Sequence, residues 1–89
     1  MTEILKELGI FEDGEYTNSG AYEVTIDDSD TYGKYYSKLN KNPDVEEMED
    51  NALLTFNEGR VLYRYKEYLL DLQGDFNNDI YKLVITKER

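Results

Sequence analysis

The side chains in this chain with most capacity for chemistry are carboxylates, concentrated in three stretches. Asp27-Asp28-Ser29-Asp30 could hold a divalent cation, but capping and solvation of a helix start account for it equally well. Asp44 to Asp50 is the most acidic window, with five acids in seven residues: Asp44, Glu46, Glu47, Glu49 and Asp50. Asp75-Phe76-Asn77-Asn78-Asp79 has the Asp-x-Asn-x-Asp opening of a calcium loop. The glycine expected next is Ile80, however, and the twelfth position is Thr86 rather than Glu, so the motif fails. A turn rich in Asn and Asp for backbone reasons explains it better. Paired carboxylates can do acid–base work, as in glycosidases, but every acidic protein contains such pairs.

The remaining catalytic vocabulary is missing. The chain has no histidine and no cysteine. This removes the commonest general base near neutral pH, the commonest metal ligand, and every Ser-His or Cys-His pairing. It also removes disulfides and thiolate ligands, which fits a reducing, cytoplasmic setting. The expectation is a protein that is not an enzyme and has neither a cofactor nor a metal.

Charge gives the functional direction. Ten basic side chains stand against 20 acidic ones, for a net charge of −10. The imbalance is local: residues 1–59 carry 15 acids and 4 bases (net −11), residues 60–89 carry 5 acids and 6 bases (net +1). Such a field repels nucleic acid and acidic membranes, and it speeds encounter with basic surfaces. The expected partner is therefore a basic protein surface, with no direct nucleic-acid contact and no membrane. The candidate contact residues are Asp27, Asp28, Asp30, Asp44, Glu46, Glu47, Glu49 and Asp50.

The most specific form of this reading is imitation of nucleic acid. Carboxylates recur about every 6.6 Å on one face of a strand and about 5 to 6 Å apart at i, i+3 or i+4 of a helix. An array at that spacing can occupy Arg and Lys side chains that otherwise hold phosphates. The protein would then inhibit a nuclease or another nucleic-acid-binding protein. Small acidic inhibitors of this sort occur among phage counter-defence and nuclease immunity proteins; the parallel here is one of size and charge, and no motif carries it. The alternative is a structural or assembly subunit, in which the sheet edge and tyrosines matter and the acids only solvate.

The elements that must position these residues are legible from periodicity. Eighty-nine residues make one small domain with a thin stability margin. No apolar run approaches the roughly 18 residues of a membrane span, and there is no signal-peptide core. Met1 to Leu8 reads as a short helix, with Thr2 as cap, Gly9 as stop, and Ile4, Leu5 and Leu8 on one face. Glu12-Asp13-Gly14 reads as a turn. Ala21 to Asp27 is the cleanest strand: Tyr22, Val24 and Ile26 alternate with Glu23, Thr25 and Asp27. Glu15 to Asn18 can pair with it across Asn18-Ser19-Gly20. A second helix opens at Ser29 or Asp30 as N-cap, carries Tyr32, Tyr35, Tyr36 and Leu39 at i, i+3, i+4 and i+7, and ends over Asn40 to Pro43. Asp44 to Asp50 reads as one helical turn or as a solvated loop.

The back half reads as an antiparallel meander. Ala52, Leu54 and Phe56 share a face of its first strand, and Glu58-Gly59 centres the first turn. Val61, Tyr63 and Tyr65 then alternate with Leu62 and Arg64. A tight turn near Lys66-Glu67 is required, although its residues are not typical of one. Tyr68, Leu70 and Leu72 follow, then the Gln73 to Asp79 turn, then Ile80 to Thr86. The expected fold is α+β: an antiparallel sheet of four to six strands with one or two short helices packed on one face. Its expected core is Leu5, Leu8, Tyr22, Val24, Ile26, Tyr35, Leu39, Leu54, Phe56, Val61, Tyr63, Leu70, Leu72, Leu83 and Ile85. Most of the nine tyrosines are expected to be structural. An exposed aromatic cluster beside the acids would be the natural anchor of an interface.

Overall fold

A computed structural model describes residues 2–12, 14–51 and 58–87. The strand expected over Ala52 to Phe56, the core positions Leu54 and Phe56, and Asp13 of the expected first turn lie outside the described residues.

Helix α1 runs Thr2–Leu8. Gly9 ends it at φ 78°, a conformation that favours glycine. The Gly9 N–H donates to the Lys6 carbonyl at 3.0 Å and the Ile10 N–H to the Leu5 carbonyl at 2.8 Å. This is the Schellman pattern, and it turns Ile10 inward against Leu5, both in the core. Helix α2 runs Ser29–Lys41, and its N-cap is Asp28 rather than Ser29 or Asp30. Asp28 has extended backbone (φ −148°, ψ 169°), so its carboxylate reaches the Thr31 N–H at 2.8 Å. Ser29 and Asp30 are already helical and cannot take that role.

Six antiparallel strands follow the order β1-β2-β6-β5-β4-β3. They are β1 Gly14–Tyr16, β2 Tyr22–Ile26, β3 Glu46–Asn51, β4 Glu58–Tyr65, β5 Tyr68–Asp75 and β6 Ile80–Lys87. The fold is thus α+β, with the C-terminal strand inserted between β2 and β5. Two expectations are corrected. Residues 46–51 are neither loop nor helical turn but an edge strand paired with β4, with a bulge between Glu47 and Glu49. An edge strand tolerates a run of acids because one side of it meets water. Glu58-Gly59 is not a turn centre: the β4–β5 register continues through both residues, pairing Glu58 with Asp75 and Gly59 with Gly74. At the other end of that hairpin Tyr65 pairs with Tyr68. Lys66 and Glu67 therefore form the tight loop, with Lys66 at φ 54°.

Alternation sets the two faces of the sheet. Val24, Ile26, Val61, Tyr63, Tyr65, Leu70, Leu72, Tyr81, Leu83 and Ile85 form one buried layer against Leu5, Leu8, Ile10, Tyr32, Tyr35 and Leu39 from the helical side. Fully burying one Leu, Val or Ile side chain contributes roughly 1.5–3 kcal/mol. Tyr22, expected in this core, is only partly buried. It stands next to edge strand β1 with its ring edge-on to exposed Tyr16. Two tyrosines bolt the layers together through their hydroxyls: Tyr63 donates to Asn40 at 3.3 Å and Tyr65 to Glu7 at 2.7 Å. The other face of the sheet carries Leu62, Leu69 and Val84, half-buried, and a bidentate Arg60–Asp71 pair at 3.0 and 2.7 Å. Among the described residues, no helix is long and apolar enough to cross a membrane.

Candidate interaction surface

The chain path splits the eight candidate acids into two stations. Asp27, Asp28 and Asp30 lie where β2 ends and α2 begins, all exposed. Asp44, Glu46 and Glu47 lie beyond the C-terminus of α2, at the start of β3, and are also exposed. Glu49 and Asp50 continue β3, opposite Leu62 and Val61 in the backbone register. The 13 residues of α2 at 1.5 Å per residue put about 20 Å between the stations.

The surface between them is not acidic. Lys34, Lys38 and Lys41 are all exposed on α2. Lys38 donates to the Gly9 carbonyl at 2.6 Å and lies 5.8 Å from the Phe11 ring centroid, tying α2 to the end of α1. The acids are therefore not a continuous array. At the β3 station Glu46 and Glu47 also point to opposite faces, because Glu46 stands opposite Arg64 and Glu47 opposite Tyr63. Glu46 approaches Arg64 at 3.8 Å.

The first station gains residues that sequence reasoning left out. Ile26 pairs with Tyr81, so the β5–β6 turn lies beside the start of α2. Asp75 builds this turn. One of its oxygens accepts the Asn77 and Asn78 N–H groups, each at 3.2 Å, and the other accepts the Asn78 side-chain amide at 2.9 Å. Asp79, at φ 57°, closes the turn and accepts the Tyr81 hydroxyl at 2.8 Å. Phe76 projects from the turn onto Tyr32 and Tyr81, and the three ring centroids are 5.5 Å apart in every pair. Phe76 is nevertheless 37% exposed, and Ile80, at the start of β6, is 58% exposed. Here, at one end of the molecule, Phe76 lies between the start of α2, which carries Asp27, Asp28 and Asp30, and the β5–β6 turn, which carries Asp75 and Asp79. These five carboxylates form the acidic rim of this end, and Ile80, paired with Asp75, is exposed on the opposite, open face of the sheet.

The exposed aromatic beside the acids is thus a phenylalanine. Tyr32, Tyr35, Tyr63, Tyr65 and Tyr81 are buried, and Tyr16 is the exposed tyrosine among the described residues. The turn itself was visible within Gln73 to Asp79, although Gln73, Gly74 and Asp75 belong to β5, where they pair with β6. Its position beside α2 was not, because that depends on the long-range pairing of β2 with β6.

Local hydrogen bonds hold two of the rim carboxylates ionised. Asp28 lies below its ordinary value, chiefly because it accepts the Thr31 N–H and then the Thr31 hydroxyl. Asp75 is lowered by the Asn78 side-chain amide and then the Asn78 N–H. Burial first, then the bond to Asp79, raises Tyr81, so that hydroxyl stays protonated at neutral pH. Next to the rim, on the open face of the sheet, a shallow groove of about 400 Å³ is lined by Arg60, Gln73, Asp75, Ile80 and Lys82 with Gly59 and Gly74. Among the described residues, no three His, Cys, Asp or Glu side chains are arranged to hold a metal ion. Comparison of the chain with protein-family models, with curated proteins and with solved structures finds no match.

Proposed function

We propose that the protein is a binding module for a basic protein partner, engaged first at the end where α2 begins and β5 turns into β6. The observation that carries this reading is the partly exposed Phe76 held between the acidic start of α2 and the acidic β5–β6 turn. Stable interfaces combine a desolvated apolar anchor with a polar rim. An acidic rim selects Lys- and Arg-bearing surfaces and raises the association rate. The aromatic anchor supplies what a merely solubilising acidic surface does not need.

Inhibition by nucleic-acid imitation is the narrower form of this proposal. It requires the partner to be a nucleic-acid-binding protein, such as a nuclease. The lysines of α2 between the two stations make a short acidic footprint at each station the unit of contact, rather than a duplex-length array.

The test is capture of host proteins on the immobilised chain at low salt, elution with a salt gradient, and competition with DNA or RNA. A specific basic protein released at moderate salt supports the module. Release of that protein by added nucleic acid supports imitation. Recovery of the chain alone, as oligomers that resist salt, supports the assembly subunit instead, because apolar burial is not screened.

A further inference from the structure

We propose that the outer edge of β3 accepts an extended, Lys- or Arg-bearing segment of the partner as an added antiparallel strand. The inference rests on the reading that the partner is basic. Among the described residues, β3 ends the strand order and pairs with β4 alone. The outward-pointing backbone N–H and C=O groups of such an edge form a template for another strand. Charge decides which strand. Glu46 and Glu47 are exposed on opposite faces of β3, and exposed Met48 follows them at the bulge between Glu47 and Glu49. Glu49 and Asp50 continue the acidic run. Side chains directly opposite in an antiparallel pair lie about 4.5–5.5 Å apart, where unlike charges attract and like charges destabilise. A second copy of β3 would set carboxylate against carboxylate on both faces. A basic strand meets a complementary charge on both faces. The residues that keep this edge from pairing with itself thus make it selective for a basic segment.

The chain also carries basic charge close to β3, and this bounds the fit. Arg64 of β4 stands opposite Glu46, and Lys41 ends α2 just before the strand. Arg64 is already engaged with Glu46 at 3.8 Å. Residues 46–51 carry four carboxylates and no basic side chain, so the formal charge of the strand exceeds what these two cations supply.

The test uses the full chain and two probes: an eight-residue amidated peptide repeating Lys-Lys-Val-Val, which places Lys on both faces of a strand, and its counterpart with Glu in place of Lys. Backbone hydrogen exchange is followed residue by residue. The Lys peptide is expected to slow exchange of alternate amides within 46–51 at low salt by tenfold or more, and the Glu peptide to leave them unchanged. The double variant Glu46→Lys, Glu47→Lys is expected to reverse that preference, which a loss of folding could not do. Equal protection by both peptides overturns the proposal. So does protection confined to the α2 and β5–β6 end, an outcome that leaves the basic-partner reading standing. Absence of salt-sensitive binding anywhere on the chain overturns both.

Discussion

Phe76 stands edge-on to Tyr32, with the ring centroids 5.5 Å apart and the planes at 87°. One ring belongs to the β5–β6 turn and the other to the first turns of α2. Their contact fixes the turn that carries Asp75 and Asp79 against the helix whose start carries Asp28 and Asp30. Because Phe76 keeps about a third of its surface in water, it can serve the fold and a partner together. Replacing it by Ala should weaken partner binding by about tenfold or more, as for a truncated interface anchor. Circular dichroism should show the secondary structure unchanged. Equal affinity of variant and parent would remove Phe76 from the interface.

The space that Tyr32 occupies exists because position 74 has no side chain. A β-carbon on Gly74 would lie 3.1 Å from a Tyr32 ring carbon and 3.2 Å from Tyr81. Both rings are buried and cannot swing away cheaply. Gly74→Ala should therefore destabilise by about 1–3 kcal/mol through overpacking, read from chemical denaturation. Leu72→Ala, two residues earlier on the same face and fully buried, should cost about 2–5 kcal/mol by leaving a cavity. The two losses have opposite volumetric causes. The smaller Tyr32→Leu ring substitute should relieve the first and not the second.

Acid should unfold the protein through identifiable carboxylates. Glu7 is held below its ordinary 4.5 by the Lys66 ammonium and then by the Tyr65 hydroxyl. Asp28 and Asp75 are held below their ordinary 3.8 by their turn and cap hydrogen bonds. A lowered folded value means that the unfolded chain takes up the proton first. The stability is thus complete above the ordinary values and is lost as pH falls through the lowered ones. Melting temperature should drop steeply below about pH 4.5, and Glu7→Gln should flatten part of that drop while lowering stability at pH 7. A Glu7→Gln profile that runs parallel to the parent at every pH would show that this contact does not contribute.

Alkali should act in the opposite direction. Burial, and then Glu12, push the Tyr35 phenol well above its ordinary 10.0. Tyr65 is raised by its bond to Glu7 and then by burial. Raised groups favour the folded state below pH 10 and lose that contribution as pH climbs through their folded values. Spectrophotometric titration should show a fraction of the tyrosines ionising only with unfolding. Tyr35→Phe should reduce that fraction. If every tyrosine titrates normally while the chain stays folded, the buried positions of Tyr35 and Tyr65 are wrong.

Periodicity made the sheet readable where neighbouring strands repeat the same alternation. Val61 to Tyr65, Tyr68 to Leu72 and Ile80 to Thr86 each place every second residue in the core, and the α2 stripe of Tyr32, Tyr35 and Leu39 follows 3.6-residue spacing. Three kinds of information were not in the local pattern. Glu46 to Asn51 lacks apolar alternation because it is an edge, so only its pairing with β4 reveals it as a strand. Glu58-Gly59 has turn chemistry, but the register of β5 overrides it by supplying partners at Asp75 and Gly74. Lys66 occupies a positive φ without glycine because the Tyr65–Tyr68 pair closes the loop around it. The candidate acids were visible individually. Their division into two stations, and the arrival of Phe76 at the first, follow from the placement of β6 beside β2.

The most direct measurement compares the proteins captured by three forms of the chain at matched salt: the parent, the triple variant Asp27→Asn, Asp28→Asn, Asp30→Asn, and Phe76→Ala. Asn at position 28 retains an N-cap side chain, so the triple variant removes charge without removing the helix start. The expected result is a basic partner held by the parent, released at lower salt from the triple variant, and lost from Phe76→Ala. Identical retention of that partner by all three forms would contradict the assignment of this end of the molecule as the binding surface.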